Sequence, residues 1–312
     1  MMLARVADSL YWAGRYVERA EHVSRLAEVM LNATLDRSDA ARHVAAITRG
    51  ALGDPGGSGD LLDLARAMSL DRDNPSSVLM SLARARENAR QVRDQITSET
   101  WERLNILYLR AVSARASASF AADPLAFLGE IVSDLHLFKG AADSTMSHGE
   151  GWRFMVTGVF LERAQLIARL LRASFGGGLA GAPEEPLALV TVLRMACALE
   201  PYLRTYTADL NARFILEFLM FDEDFPRSIR YATDQIEQHL NHLARGRELG
   251  RQDPQRLAGR LKARLAFADI GEVEGSGAGQ ILAAVEAESK AIHEAMYEAF
   301  VAYPLETRLP AA

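Results

Sequence analysis

The sequence predicts an all-α fold, for three reasons. Apolar residues recur at spacings of three and four along most of the 312 residues, which is the period of an amphipathic helix. Helix-forming residue types dominate, and no alternating run of Val, Ile and Thr is long enough to predict a strand. Clusters of Gly, Pro, Asp and Asn interrupt the helical pattern and divide the chain into about a dozen helices.

The helices can be placed in order from these interruptions. The first runs from Asp8 through apolar positions to Met30. Asn74 and Asp123 each precede a proline that suits the first position of a helix, and Ser98 marks a further helix start. The breaks between helices lie at 53–59, 71–75, 123–124, 176–186, 222–226 and 271–279.

An internal duplication organises the chain. The segment 14–21 is similar in sequence to the segment 158–165, so that Glu18 corresponds to Glu162 at an offset of 144 (162 − 18). The segment 70–78 is similar in sequence to the segment 221–229, at an offset of 151 (222 − 71). Repeats must be recognised before other features are interpreted. We therefore predict two six-helix units, residues 1–150 and 151–312, which pack around a pseudo-twofold axis as one compact domain, 1–312.

Composition excludes several function classes. The chain has 35 Lys and Arg against 41 Asp and Glu, a net charge of −6, whereas a general nucleic-acid binder is basic. Its single cysteine, Cys197, excludes an internal disulfide and suits a reducing compartment. The first eight residues carry Arg and Asp where a signal peptide is apolar, and no uncharged apolar run reaches the roughly 18 to 20 residues of a membrane span. We expect a cytoplasmic protein that binds neither nucleic acid nor membrane.

Two Glu-Arg pairs, Glu18-Arg19 and Glu162-Arg163, are the leading site candidates. Around Glu162 and Arg163, the positions three and four residues away hold no charged side chain. A buried charge must then find its partner on another helix or on a ligand. We predict reciprocal contacts, Glu18 with Arg163 and Glu162 with Arg19. Such a network either holds the two halves in register or faces a cleft that binds a substrate or partner.

The sequence predicts neither a metal site nor a bound cofactor. Di-metal helical bundles use a Glu-x-x-His motif, which does not occur at any of the seven histidines. Gly176-Gly177-Gly178 lacks the lysine of a phosphate-binding loop. Cys197 follows an apolar helical pattern, which predicts that it fills the core. With no catalytic constellation visible, the sequence favours a non-enzymatic role and leaves the catalytic residues unknown.

Arginines concentrate between positions 84 and 94, where Arg86, Glu87, Arg90 and Arg93 lie on several faces of one predicted helix. Guanidinium groups held in this way can grip carboxylates or phosphates with two hydrogen bonds. Such a run is more often a solvated face or part of a helix interface. Both interpretations stay open from the sequence.

The sequence resembles the Alpha-E family, an all-helical bacterial domain named for its Glu-Arg motif. The motifs that carry the resemblance span nearly the whole chain. They are ADSLYW at 7–12, GRY at 14–16, ERAE at 18–21, NPSSV at 74–78, RENAR at 86–90, SETW at 98–101, FLERA at 160–164 and DFPRS at 224–228. The resemblance adds Arg15, Asn74, Ser77 and Arg227 as candidate residues for binding a substrate or partner.

The resemblance implies a functional context. Members are encoded beside, or fused to, circularly permuted ATP-grasp-type ligases and transglutaminase-like peptidases. It implies a non-catalytic accessory protein that binds the ligase or a peptide ligand and helps to make or attach a short peptide. Two alternatives stay open: a helical enzyme that acts on a peptide or amino-acid derivative through a Glu-Arg cleft, and an oligomeric scaffold.

Overall fold

The computed structural model describes residues 2–34, 39–53, 60–113, 115–177, 186–206, 209–245, 253–271, 273 and 277–302. These residues form fourteen helices and no strand, which confirms the all-α class. The helices of the first half are α1 (Ala4–Thr34), α2 (Asp39–Leu52), α3 (Leu61–Leu70), α4 (Val78–Gln91), α5 (Ser98–Val112), α6 (Ala116–Ala122) and α7 (Pro124–Thr145). Those of the second half are α8 (Glu150–Phe175), α9 (Pro186–Met195), α10 (Leu199–Thr205), α11 (Ala212–Phe221), α12 (Ile229–Leu243), α13 (Pro254–Phe267) and α14 (Ala278–Phe300).

Corresponding helices in the two halves begin with the same cap. The hydroxyl of Ser77 accepts a hydrogen bond from the backbone N–H of Met80, 3.2 Å away, at the start of α4. The hydroxyl of Ser228 accepts one from the N–H of Tyr231, 2.9 Å away, at the start of α12. Each serine hydroxyl also donates to a backbone carbonyl six residues upstream. A cap of this kind satisfies a backbone donor that the first turn would otherwise leave free.

The two longest helices, α1 and α8, pack against each other at the centre of the molecule. Around them, α4 and α7 pack on α1, as α12 and α14 pack on α8. The pair α4–α5 is matched by α12–α13, and α5–α7 is matched by α13–α14. This order parallels the sequence offsets, and the two-unit arrangement stays a prediction.

Each half contains seven helices among the described residues instead of the predicted six. The predicted break at Asp123-Pro124 separates α6 from α7, whereas the break at Cys197-Ala198, which separates α9 from α10, was not predicted. Cys197 has a backbone φ of 56°, in the left-handed region, and the N–H of Ala198 donates to the carbonyl of Leu193, 2.7 Å away. The expected core-filling position of Cys197 within a helix is therefore wrong: the residue follows the end of α9 and is half-buried.

Within the part of the chain that the structure describes, no individual helix has the length and apolar character needed to cross a membrane. One sharply bent pair, α9 with α10, meets the length and composition test when its two helices are taken together.

Candidate functional site

Two glycines bring the backbones of α1 and α8 into direct contact. A β-carbon on Gly14 would lie 2.0 Å from the carbonyl oxygen of Met155, and one on Gly158 would lie 2.1 Å from the carbonyl oxygen of Tyr11. Met2 contacts Glu150 at the start of both helices and Glu18 contacts Arg163 further along, so α1 and α8 run in the same direction through the crossing. Only glycine permits so close an approach. The crossing places the two Glu-Arg pairs, one helical turn further along, opposite each other.

Glu18 is held at this crossing by cations from three other elements. Arg163 of α8 grips its carboxylate with two hydrogen bonds, Nε to Oε1 at 2.7 Å and Nη2 to Oε2 at 2.9 Å. Lys139 of α7 donates to Oε2, and Arg227, just ahead of α12, lies 3.5 Å from Oε1. Only 1% of the Glu18 side chain is exposed. A two-point guanidinium–carboxylate contact of this kind is both strong and orientation-specific.

Glu162 is held from the opposite side, by α1. Arg19 donates from Nε to Oε1 at 2.7 Å, and Arg15 donates from Nε to Oε2 at 2.6 Å. Arg15 also donates to Gln165 from Nη2, at 2.7 Å. The structure thus contains both reciprocal contacts expected from the sequence, Glu18 with Arg163 and Glu162 with Arg19. Whether these contacts have a function beyond packing stays a prediction.

A third carboxylate, Glu21, joins the same cluster. Lys139 and Arg227 both donate to it, so these two cations bridge Glu18 and Glu21. The Nε atom of Arg25 lies 3.1 Å from Oε1 of Glu21, and the Nε2 atom of His136 lies 3.2 Å from the same oxygen. Three carboxylates are therefore surrounded by six permanent cations, which gives the cluster an excess of positive charge. We call this set the central cluster: its members are Glu18, Glu21, Glu162, Arg15, Arg19, Arg25, Lys139, Arg163 and Arg227.

The cations keep all three carboxylates ionised. Burial alone would raise the pKa of Glu18, but Arg163, Lys139 and Arg227 outweigh it and lower that pKa well below its usual value of 4.5. The pKa values of Glu21 and Glu162 are lowered in the same way by their own cationic partners, against the effect of burial. At neutral pH the three groups are acceptors with no proton to give and little tendency to take one.

His22 lies within α1 beside this cluster and is completely buried. Burial and the nearby Arg227 lower its pKa to about 4, so the ring is neutral at pH 7. Its Nε2 has no hydrogen-bond partner among the described residues. Among the described residues, those of this cluster included, no group of three or more His, Cys, Asp or Glu side chains is arranged to hold a metal ion.

A cavity of about 300 Å³ opens beside the cluster, between α7, α8 and α12. Its lining includes four aromatic side chains, Phe138, Trp152, Phe160 and Tyr231, and four polar ones, Lys139, Asp143, Gln235 and His239. Lys139 belongs to both the cavity and the central cluster, so the cavity is in direct contact with the buried charges. A volume of this size is at the lower end of the range for small-molecule sites.

The fold and the paired Glu-Arg residues at its centre agree with a family model that matches residues 2–301. The family is described as a predicted alpha-helical domain with a conserved ER motif. The chain belongs to the Alpha-E family. In this Alpha-E chain the Glu-Arg pairs Glu18-Arg19 and Glu162-Arg163 meet across the α1–α8 crossing.

Curated relatives of the Alpha-E chain include an uncharacterized protein of Mycobacterium bovis and one of Mycobacterium tuberculosis. Each is 27% identical over 300 residues, which cover 86% of this chain and 33% of the relative. The chain thus spans about a third of the length of the curated relatives it matches. No solved structure matches the chain.

The Alpha-E structure divides the other candidate residues into two groups. Arg15 and Arg227 join the central cluster, whereas Asn74 and Ser77 organise the turn before α4: the Asn74 carboxamide accepts from the N–H of Ser76, and Ser77 caps the helix. The hydrogen bonds of these two residues are made within the turn and the first turn of α4. Their predicted role in binding a substrate or partner is untested.

Of the predicted arginine group, Arg86 in α4 and Arg93 just after it lie against α5. Arg86 donates to Asn105 at 2.8 Å and stacks over Tyr108, while Arg93 stacks over Trp101. Arg90 is half-exposed and donates through Nε and Nη2 to Glu87, at 2.9 and 2.7 Å. The predicted arginine group is thus partly a helix interface and partly a solvated pair.

Sequence reasoning missed Lys139 as a member of the site. It is the only lysine or arginine of α7 and follows the buried Phe138. A lone lysine in an apolar helix is a signal of a buried charge that needs partners. Its partners lie on α1, 118 and 121 positions away, and no local spacing indicates them.

Proposed function

We propose that this Alpha-E chain is a non-catalytic binding module that associates with an ATP-grasp-type ligase and its peptide substrate. The observation that carries the proposal is the state of the three buried carboxylates. Each is ionised, clamped by cations, and has a lowered pKa. A general base works best when its pKa lies near the operating pH. The central cluster therefore suits a rigid support better than the Glu-Arg cleft of an enzyme.

The excess of cations gives the module a preference for anionic partners. Six cationic side chains contact three carboxylates in the central cluster. Fields of one sign raise the local concentration of oppositely charged ligands. Carboxylates of a peptide or of an acidic partner surface supply that charge. The proposal includes a cytoplasmic location, which suits a chain with a single cysteine, and contact with a transglutaminase-like peptidase.

The partner contact is assigned to the solvated arginine pair of α4. The Arg90 side chain is 53% exposed and its contact within the described chain is with Glu87 on the same helix. An arginine with an exposed planar head can exchange an intrahelical carboxylate for one on a partner. Arg86, by contrast, is tied to α5 through Asn105.

The test is size-exclusion chromatography with light scattering, on this chain alone and mixed with the ATP-grasp-type ligase encoded nearest to it, with and without ATP. We expect a heteromeric peak at micromolar concentrations, and Arg90→Ala to weaken it while its melting temperature matches wild type. Separate elution under both conditions would refute the proposal. A mass above that of the monomer without the ligase would favour the oligomeric scaffold instead. A large loss of stability in Arg90→Ala with binding intact would reassign the residue to structure.

A further inference from the structure

We propose that the cavity between α7, α8 and α12 binds an apolar amino-acid residue that carries a free α-carboxylate. The side chain would lie among the aromatic rings, and the carboxylate would meet Lys139 and His239. The assignment deepens the proposed function, and rests on it for a peptide as the source of that residue. Affinity for the carboxylate itself can be tested without the ligase.

The walls of the cavity are suited to an apolar side chain. Trp152 and Phe160 project from α8, Phe138 from α7 and Tyr231 from α12. Phe160 and Tyr231 have their ring centroids 5.9 Å apart, and the Trp152 ring meets the His239 ring edge to face at 5.4 Å. Flat, rigid rings of this kind offer contact area with little loss of side-chain entropy. They favour an aromatic or aliphatic group over a polar one.

Larger side chains stand at the corresponding positions of the first half. At the offset of 144, Val156 and Val159 of the cavity correspond to Trp12 and Arg15 of α1. The Arg15 guanidinium lies over the Trp12 ring at 5.1 Å, and that ring packs against His293 of α14 at 5.3 Å. Two large side chains thus stand on α1 where two valines stand on α8.

His239 provides an unused donor beside this space. Only 4% of the residue is exposed, and its Nε2 has no hydrogen-bond partner among the described residues. Arg153 donates to Nδ1 at 3.1 Å, so the neutral ring carries its proton on Nε2. Burial and Arg153 lower the pKa of His239 to about 4, which keeps the ring neutral at pH 7. A buried donor without a partner is costly, and a ligand oxygen would remove that cost.

Lys139 provides the charge. Its ammonium group has three N–H donors, of which Glu18 and Glu21 take two. The third is available to a ligand in the cavity that Lys139 lines. The cluster behind it carries more cations than carboxylates, which favours an anion at this point. Asp143 lines the same cavity and is 69% exposed, so repulsion from it disfavours a carboxylate at the outer edge.

The test is isothermal titration calorimetry with three probes: N-acetyl-L-phenylalanine, the peptide Gly-Gly-Phe, and N-acetyl-L-phenylalaninamide, which lacks the carboxylate. We expect both acids to bind the wild-type chain at least tenfold more tightly than the amide. Gly-Gly-Phe binding at least as tightly as the acetylated residue supports a peptide as the source. Failure of both acids to bind at about 1 mM, or equal affinity for acid and amide, overturns the assignment.

Two variants localise the binding to the cavity. Val156→Trp introduces the residue found at the corresponding position of α1, and it should abolish binding while the melting temperature stays close to that of wild type. His239→Phe keeps a ring and removes the Nε2 donor, so affinity for the acids should fall at least tenfold. His242→Phe, on the same helix, is the matched control and should bind as wild type. Wild-type affinity in Val156→Trp overturns the assignment whatever the other variants do.

The outcome separates this assignment from the proposed function. A ligase complex without acid binding leaves the binding module standing and removes the cavity as its ligand site. Acid binding by the isolated chain, lost in Val156→Trp, together with no ligase complex leaves the cavity site standing and removes the ligase as its partner.

Discussion

Replacing Glu162 by Gln tests whether the central cluster depends on charge or only on shape. The substitution keeps the volume of the side chain and one acceptor oxygen but removes the negative charge. Arg15 and Arg19, whose Nε atoms lie 2.6 and 2.7 Å from the carboxylate, then face each other without a counter-ion. Only 7% of the Arg15 side chain is exposed, so water cannot replace the lost carboxylate there.

The expected loss follows from these exposures. Removing one partner of a buried ion pair costs about 3–5 kcal/mol because the other charge is left uncompensated. Arg19 is 20% exposed and the Gln oxygen still accepts one hydrogen bond, so Glu162→Gln falls at the lower end, at about 3 kcal/mol. For a chain of this size that corresponds to a melting temperature lower by about 6 °C.

The assay is thermal unfolding at pH 7, followed by circular dichroism at 222 nm. Glu87→Gln is the matched control, because Arg90 contacts Glu87 in a two-point geometry on the surface, and it should melt with the wild type. Adding Arg15→Met to Glu162→Gln removes the more deeply buried of the two uncompensated charges, so the double variant should melt above the single one. If Glu162→Gln melts with Glu87→Gln, the cluster is not held together by charge and the reasoning fails.

Three further predictions follow from the same structure. A carboxyl group whose pKa is lowered on folding stabilises the fold above its unfolded pKa and loses that contribution as the pH falls. The lowered pKa values of Glu18, Glu21 and Glu162 therefore predict a melting temperature that drops steeply below about pH 4.5. A melting temperature that stays constant between pH 7 and 3 would contradict this. Gly158→Ala should lower the melting temperature because the added β-carbon meets the backbone of α1. Gly140 has open space around it, so Gly140→Ala should raise the melting temperature through helix propensity alone. A Gly158→Ala variant that melts above Gly140→Ala would refute the close crossing of the two helices. Cys197→Gly should raise the free energy of unfolding by about 1 kcal/mol, because glycine adopts the left-handed conformation without strain. Urea denaturation measures this change. A lower free energy of unfolding would show that the packing of the Cys197 side chain outweighs the strain in its backbone.

The features of the structure that could be predicted from the sequence are those that produce a periodic or repeated pattern of residues. The helical period from Asp8 to Met30 predicts most of α1, which the structure extends to Ala4–Thr34. The contact of Glu18 with Arg163 follows from two facts in the sequence: neither Glu162 nor Arg163 has a charged neighbour on its own helix, and the motif occurs twice. A buried charge in one copy then has its natural partner in the other.

Other features depend on the angles between helices, which no periodicity encodes. Lys139 reaches Glu18 because α7 packs on α1, and Arg86 stacks on Tyr108 because α5 packs on α4. The end of α9 at Met195 could not be predicted from the sequence for a different reason. The residue with left-handed backbone after the helix is Cys197, whereas glycine is the usual residue in that conformation. The sequence there reads as an uninterrupted apolar helix.

The unequal surroundings of the α1–α8 crossing have a consequence for how such a molecule can be built. Two identical subunits related by a true twofold axis would have to place the same side chains on both sides of the crossing, and would open both recesses or neither. A single polypeptide that supplies both helices is free of that restriction. Trp12 and Arg15 stand on α1 at the positions that correspond to Val156 and Val159 of the cavity on α8. Because one polypeptide supplies both helices, large side chains on one side of the crossing and a cavity on the other can coexist.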